Sequence, residues 1–237
     1  MPGSAGLAER VDEIWPVIGV VGGRGGAGAS MFACVLAAMA GLGGRAVLVD
    51  LDPVAGGLDV LLGIESAPGA RWSGLRLDGG RLDPDVLVGG LPQWSSVAVL
   101  SADVPPAPRA VAQVLDVAVR AGPVVVDLGR WPSPAREAAL RRCALTVVIC
   151  AADVRSVTGA RAVRLGLGAV PAGLVVMRSG RDPAPPPRVA ALVDVPLIGA
   201  VSAVRRRGDS PLDAAQLPRS LSRMARGVLD AVGGPAA

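Results

Sequence analysis

Histidine, lysine, tyrosine and asparagine are all missing from this chain of 237 residues. Without histidine there is no imidazole base, no imidazole metal ligand, and no Ser-His-Asp or Cys-His hydrolytic site. One Phe and four Trp are too few rings for the stacking platforms of single-strand nucleic-acid binders. Cys34, Cys143 and Cys150 are scattered in apolar surroundings and fit neither a disulfide framework nor metal-ligand spacing, so a reducing compartment is expected. Although 51% of residues are hydrophobic, no apolar run approaches the roughly 18 to 20 residues of a membrane span. The opening "MPGSAGLAERVDEIWP" contains acids and lacks the charged-then-apolar order of an export signal. A soluble, cytoplasmic protein is the expectation.

All 24 basic residues are arginine, in a chain rich in Ala, Gly, Pro and Val. Such a composition looks like GC-rich coding, under which Lys-to-Arg drift is unsurprising and Lys-to-Ala is not. The net charge of +4 and isoelectric point near 10.0 admit nucleic acid or anionic lipid as partners. The basic run is short, "VRRRG" at Val204–Gly208, and a solvated arginine surface is the plainer reading.

Valine-rich runs that do not alternate with polar residues predict strands buried on both faces. They fall near Val17–Val21, Ala46–Leu51, Val97–Leu100, Val124–Leu128, Thr146–Ala151, Leu174–Met177 and Leu197–Val201. Helices are predicted at Ser30–Gly41, Arg109–Ala121, Pro134–Cys143, Ser156–Gly168 and Leu217–Val232, with surface loops at "VPPAP" and "DPAPPP". This order predicts an α/β fold: a doubly wound, mostly parallel sheet with helices on both faces. A single domain over residues 16–232 is expected, between a flexible tail at 1–15, in which Ala8–Ile14 could form a short helix, and a tail at 233–237.

The stretch "VIGVVGGRGGAGAS", Val17–Ser30, joins a buried strand to a glycine turn. Gly23, Gly25 and Gly28 spell the dinucleotide fingerprint G-x-G-x-x-G. Gly23 to Ser30 also spell a triphosphate loop, G-x-x-x-x-G-A-S, with Ala29 where lysine is usual. Either way, backbone N–H groups and a helix N-terminus favour an anion. Asp50 and Asp52 end the second strand about 20 residues later, where a ribose-binding acid would also sit. A ribose needs one carboxylate, however; two suit magnesium hydration and the placing of an attacking water. Further on, "PVVVDLGRW" ends a strand in Asp127 followed by Gly129, the pattern of a Walker B carboxylate and its phosphate-sensing turn.

With these motifs in this order, the chain resembles the deviant Walker A ATPases of the ParA/MinD group, and within them the CpaE/TadZ-like branch. The likeness runs from Val17 to about Val232. It is nearest to the actinobacterial proteins found beside pilus-assembly and secretion genes, also described as septum-site-determining. It rests on "GGRGGAGAS", "VLVDLDPVAGGLD", "GARWSGLRLDGGRLDPDVLVGGLP", "VVVDLG" and "VPLIGAVSAVRRRGD".

The resemblance implies ATP and Mg2+ as ligands. Gly23, Arg24, Gly25, Gly26, Ala27, Gly28, Ala29 and Ser30 would wrap the phosphates, and Ser30 would hold the metal with its hydroxyl. Asp50 and Asp127 would hold waters around the magnesium, and Asp52 would position the water for hydrolysis. Arg24 takes the place of the signature lysine, which reaches a partner's phosphates across an ATP-bridged homodimer; an arginine can make that contact as a bidentate donor. Met177 and Arg178 stand where the group often reads adenine with asparagine. Because Ala29 carries no charge, hydrolysis is expected to be slow or absent.

The resemblance further implies a nucleotide-controlled switch that dimerises to place a partner, a secretion or pilus ATPase or the division machinery. Such a switch could sit at the inner face of the membrane or the cell pole. A nucleotide-independent localisation scaffold is the alternative, and a nicotinamide-dependent oxidoreductase a remote one, lacking His, Tyr and Lys as proton donors. Leu217, Leu221, Met224, Val228 and Leu229 form an apolar stripe on the last helix, read as packing on the domain in preference to a membrane anchor. Weak contact of "RRRG" with DNA stays open, to be settled by salt dependence.

Overall fold

A computed structural model of the chain describes residues 14–77, 82–180, 182–204 and 210–233. The arginines of "VRRRG", the tails at 1–13 and 234–237 and most of the Ala8–Ile14 helix lie outside the described residues.

The strands are β1 (Val17–Gly22), β2 (Ala46–Asp50), β3 (Gln93–Trp94), β4 (Val97–Leu100), β5 (Val124–Asp127), β6 (Cys143–Ala151), β7 (Ala172–Arg178) and β8 (Leu197–Ser202). They form one eight-stranded sheet in the order β3-β4-β2-β5-β1-β6-β7-β8. Every pairing is parallel except β3 with β4. The doubly wound, mostly parallel sheet expected from the unalternated valine runs is therefore present. The short antiparallel edge strand β3 was not among those expected; two residues leave no periodicity to read.

Helices α1 (Ala29–Ala40), α2 (Leu58–Leu62) and α8 (Arg219–Val232) cover one face, burying Phe32, Leu36, Leu62 and Leu221 with Ile18, Val20 and Leu48. Helices α3 (Pro84–Gly89), α4 (Pro108–Ala118), α5 (Pro134–Leu140), α6 (Val154–Leu167) and α7 (Pro186–Val193) cover the other, burying Val88, Leu115, Ala139, Ala160 and Val189 with Val21, Val49 and Val126. The pleat sends alternate residues of one strand to opposite cores. A run such as Val17–Val21 must therefore be apolar throughout.

Side-chain caps start several of these helices. Asp83 accepts from the N–H groups of Asp85 and Val86, Ser133 from Arg136, and Asp153 from Ser156. The structure corrects two expectations. "DPAPPP" is not wholly loop: proline at N1/N2 suits a helix start, where its missing N–H costs nothing, and α7 begins at Pro186. Nor does the helix at Pro134 reach Cys143, because that residue already pairs with Val17 at the start of β6.

Cys34, Cys143 and Cys150 are buried and form no disulfide with one another. Burial pushes the thiols of Cys143 and Cys150 up to about 12, which leaves them unreactive. No helix among the described residues is long and apolar enough to cross a membrane.

The stripe on α8 is consumed internally. Leu221, Ala225 and Val228 are buried in the same core as α1, and a Cβ on Gly199 of β8 would meet the Met224 methyl at 2.6 Å. Leu221→Ala should therefore lower unfolding free energy by about 2–5 kcal/mol, read by urea denaturation. A helix reserved for a lipid surface would leave that value unchanged.

Candidate functional site

β1 lies between β5 and β6, so the loop leaving its C-terminal end opens into the crevice at the centre of the sheet. That loop, residues 23–28, is tightly wedged. A Cβ on Gly23 would lie 2.5 Å from the Ser156 carbonyl oxygen, and one on Gly159 of α6 would collide with the Gly23 carbonyl oxygen. Gly28 adopts φ 92° as the N-cap of α1, a left-handed conformation that a side chain would strain. α1 has no side-chain cap and no acid in its first turn, which leaves its dipole uncompensated toward the loop.

Two strand ends, those of β2 and β5, bring the acidic residues to this loop. Asp127, at the end of β5 and 3% exposed, accepts hydrogen bonds from the Ser30 hydroxyl and from the Gly129 N–H at 3.3 Å. Burial raises its carboxyl above the usual range, and those two hydrogen bonds pull it back. Asp50, opposite Asp127 in the β2–β5 register, is 2% exposed. Its oxygens accept from Asp52 N at 2.9 Å, Leu58 N at 3.0 Å and Ala102 N at 3.3 Å. Burial first, then the Asp127 charge, pushes the Asp50 carboxyl up to about 7 despite those bonds. Asp52 stands apart on the loop after β2. It accepts from Val54 N at 3.1 Å and Arg130 N at 3.3 Å, against Gly129.

The structure thus gathers Ser30, Asp127, Asp50 and Asp52 at one end of the sheet, beside Gly23–Ala29. Among the described residues no three His, Cys, Asp or Glu side chains form a metal-holding cluster. Arg24 bridges the loop to α6 and lines the cavity between them, donating from Nε to Ser156 Oγ at 2.9 Å and to Asp153 Oδ2 at 3.4 Å, and from Nη1 to Gly25 O at 3.0 Å. Met177, 6% exposed, lies one residue before the end of β7 and near Gly28, while Arg178 is exposed and pairs with Asp182 at 3.6 Å.

A cavity of about 540 Å³ opens beside the loop, lined by Gly26, Ala27, Asp153, Met177, Ser179 and Pro183 among others. Met177 is part of that wall. Ser179 and Pro183 were not anticipated, because they come from a loop whose position depends on β7 lying next to β6. Arg130 was also passed over, although it follows Gly129 directly in "VVVDLGRW". A basic residue there, with Ala29 in the loop, was the available signal.

No family model matches the chain. A protein of Mycobacterium tuberculosis described as uncharacterized, found in two strains, is 40% identical over 200 residues, covering 80% of this chain and 55% of its own length. The chain thus spans about half the length of the curated relatives it matches. Among solved structures, a ParA family ATPase from Chlorobium tepidum superposes with a TM-score of 0.71 at 16% identity, covering 93% of each chain. The septum site-determining protein MinD from Pyrococcus horikoshii, complexed with Mg-ADP, gives 0.66 at 19% identity, covering 93% of this chain and 98% of its own.

The fold is that of the ParA/MinD ATPases.

Within this ParA/MinD fold, the buried carboxylates make stability pH-dependent. The folded chain keeps a proton on Asp50 up to about pH 7, whereas the unfolded chain releases it near 3.8. Raising pH between these values releases a proton only on unfolding, so stability falls across that window. The urea midpoint should be higher at about pH 5 than at about pH 7.5, and Asp50→Asn should shrink the difference.

Proposed function

We propose that this chain is a nucleotide-binding switch of the ParA/MinD type, of the CpaE-like branch, occupying ATP with magnesium and hydrolysing it slowly or not at all. One observation carries the reading: the Ser30 hydroxyl is bonded to Asp127 at the mouth of a glycine loop on a central parallel strand. A hydroxyl and a buried carboxylate in contact at a helix N-terminus are the donor set that magnesium and a triphosphate require. The 540 Å³ cavity alongside is large enough for a nucleoside.

In this reading the N–H groups of Gly25 to Ser30 take phosphate oxygens, Ser30 holds the metal, and Asp127 holds a water beside it. Magnesium, when bound, neutralises phosphate charge. Asp50 gives both oxygens to backbone N–H groups, so its part is to hold the β2 loop and to tune Asp127. Asp52, half-buried and close to Gly129, places the attacking water. Met177 floors the nucleoside cavity, whereas Arg178 is exposed and paired with Asp182 and does not line it. Ala29 supplies no cation, and hydrolysis is slow for that reason. Arg24 reaches a partner's phosphates in a nucleotide-bridged homodimer once it leaves Ser156 and Asp153. The dimer places a pilus, secretion or division partner, from the cytoplasm or the inner face of the membrane.

Two observations favour the scaffold as a second reading: the loop has lost its lysine to Ala29, and Arg24 is held on its own chain. The nicotinamide reading finds less support, because the Asp50 carboxylate is 2% exposed and engaged with backbone, leaving it unable to meet a ribose.

Equilibrium binding of ATP with magnesium to the purified chain, with NAD as competitor and mass recorded, tests this. Magnesium-dependent binding that NAD does not displace, with a doubling of mass, is expected, and Ser30→Ala should remove the magnesium dependence. No binding up to millimolar ATP would favour the scaffold.

A further inference from the structure

The loop at the end of β1 lacks a cation from its own helix, since Ala29 opens α1 and Arg24 is bonded to Ser156 and Asp153. Another guanidinium lies against the loop. Arg130, from the turn after β5, packs on Gly25 so closely that a Cβ there would collide with its Nη2, lie 2.7 Å from its Cζ and 3.2 Å from its Nη1. Gly25 is therefore the residue that admits this side chain to the phosphate loop.

The turn carrying Arg130 is fixed at both of its backbone polar groups. Its N–H donates to Asp52 Oδ2 at 3.3 Å, and its carbonyl accepts from Arg136 Nη1 at 3.3 Å. Arg136 is 5% exposed, an unusual place for a guanidinium, and that bond to the Arg130 carbonyl is what its buried head provides. The Arg130 side chain itself is exposed, and among the described residues no carboxylate pairs with it. An anchored, unpaired guanidinium beside a nest of N–H groups is a ready bidentate donor to phosphate oxygens.

We infer that Arg130 replaces the missing lysine: it binds, in cis, the polyphosphate of the nucleotide that the glycine loop holds. The inference rests on the nucleotide-binding reading above and names the residue that makes it workable without a charge at position 29. Arg136 is a positioning residue in this arrangement, and Asp52 is tied to the same turn, so phosphate contact by Arg130 also sets the position of Asp52.

The test is titration calorimetry of ATP with magnesium on the full chain, alongside Arg130→Ala and Arg130→Ala combined with Ala29→Lys, each checked for unchanged thermal melting. Arg130→Ala should weaken binding by tenfold or more, and adding Ala29→Lys should restore it. Affinity equal to that of the parent chain in Arg130→Ala would overturn this inference while leaving the nucleotide reading intact. Weakened binding that Ala29→Lys does not restore would overturn it as well, by pointing to a disturbed loop. No binding by the parent chain would overturn both.

Discussion

The contact between the Ser30 hydroxyl and the Asp127 carboxylate is the interaction on which the site depends. It joins the first turn of α1 to the end of β5, two elements that meet because β1 and β5 pair with Val20 opposite Asp127. Placing a carboxylate at 3% exposure is unfavourable unless its oxygens are hydrogen-bonded. Ser30 and the Gly129 N–H meet that need, and the bond to Gly129 also shapes the turn that carries Arg130.

A second layer of buried charge surrounds that contact. Asp50 sits opposite Asp127 and binds the backbone of the loop after β2 and of the end of β4. Trp72 joins this layer by donating its indole N–H to the Asp50 carbonyl at 2.8 Å. Two neighbouring carboxylates raised by burial form a site that gains from a nearby cation. The same arrangement ties the loops after β2 and β5 together, because Asp52 on one accepts from the Arg130 N–H on the other.

Much of the architecture was legible in the chain alone. Unbroken valine runs announce strands covered on both faces, and helical stretches between them announce parallel crossovers. The glycines of 23–28 and the strand-end aspartates marked a candidate site by their order along the chain, and the fold brings them to one end of the sheet. Pro186 and Pro187 misled because proline signals a loop and a first helical turn equally well. β3 was missed because two residues have no period, and Ser179, Pro183 and Arg130 because their contribution comes from contact with distant segments.

The sequence by itself determined seven of the strands, the helices α1, α4, α5, α6 and α8, the glycine loop, the absent lysine and the carboxylates at strand ends, since each is a local matter of periodicity, backbone conformation or residue chemistry. Only the tertiary structure decided how those groups are used. It turned Arg24 onto α6, committed Asp50 to backbone N–H groups, buried the stripe of α8 against α1 and laid Arg130 over Gly25. Those outcomes depend on which strand lies beside which in the sheet, and pairing across a hundred residues leaves no trace in local pattern.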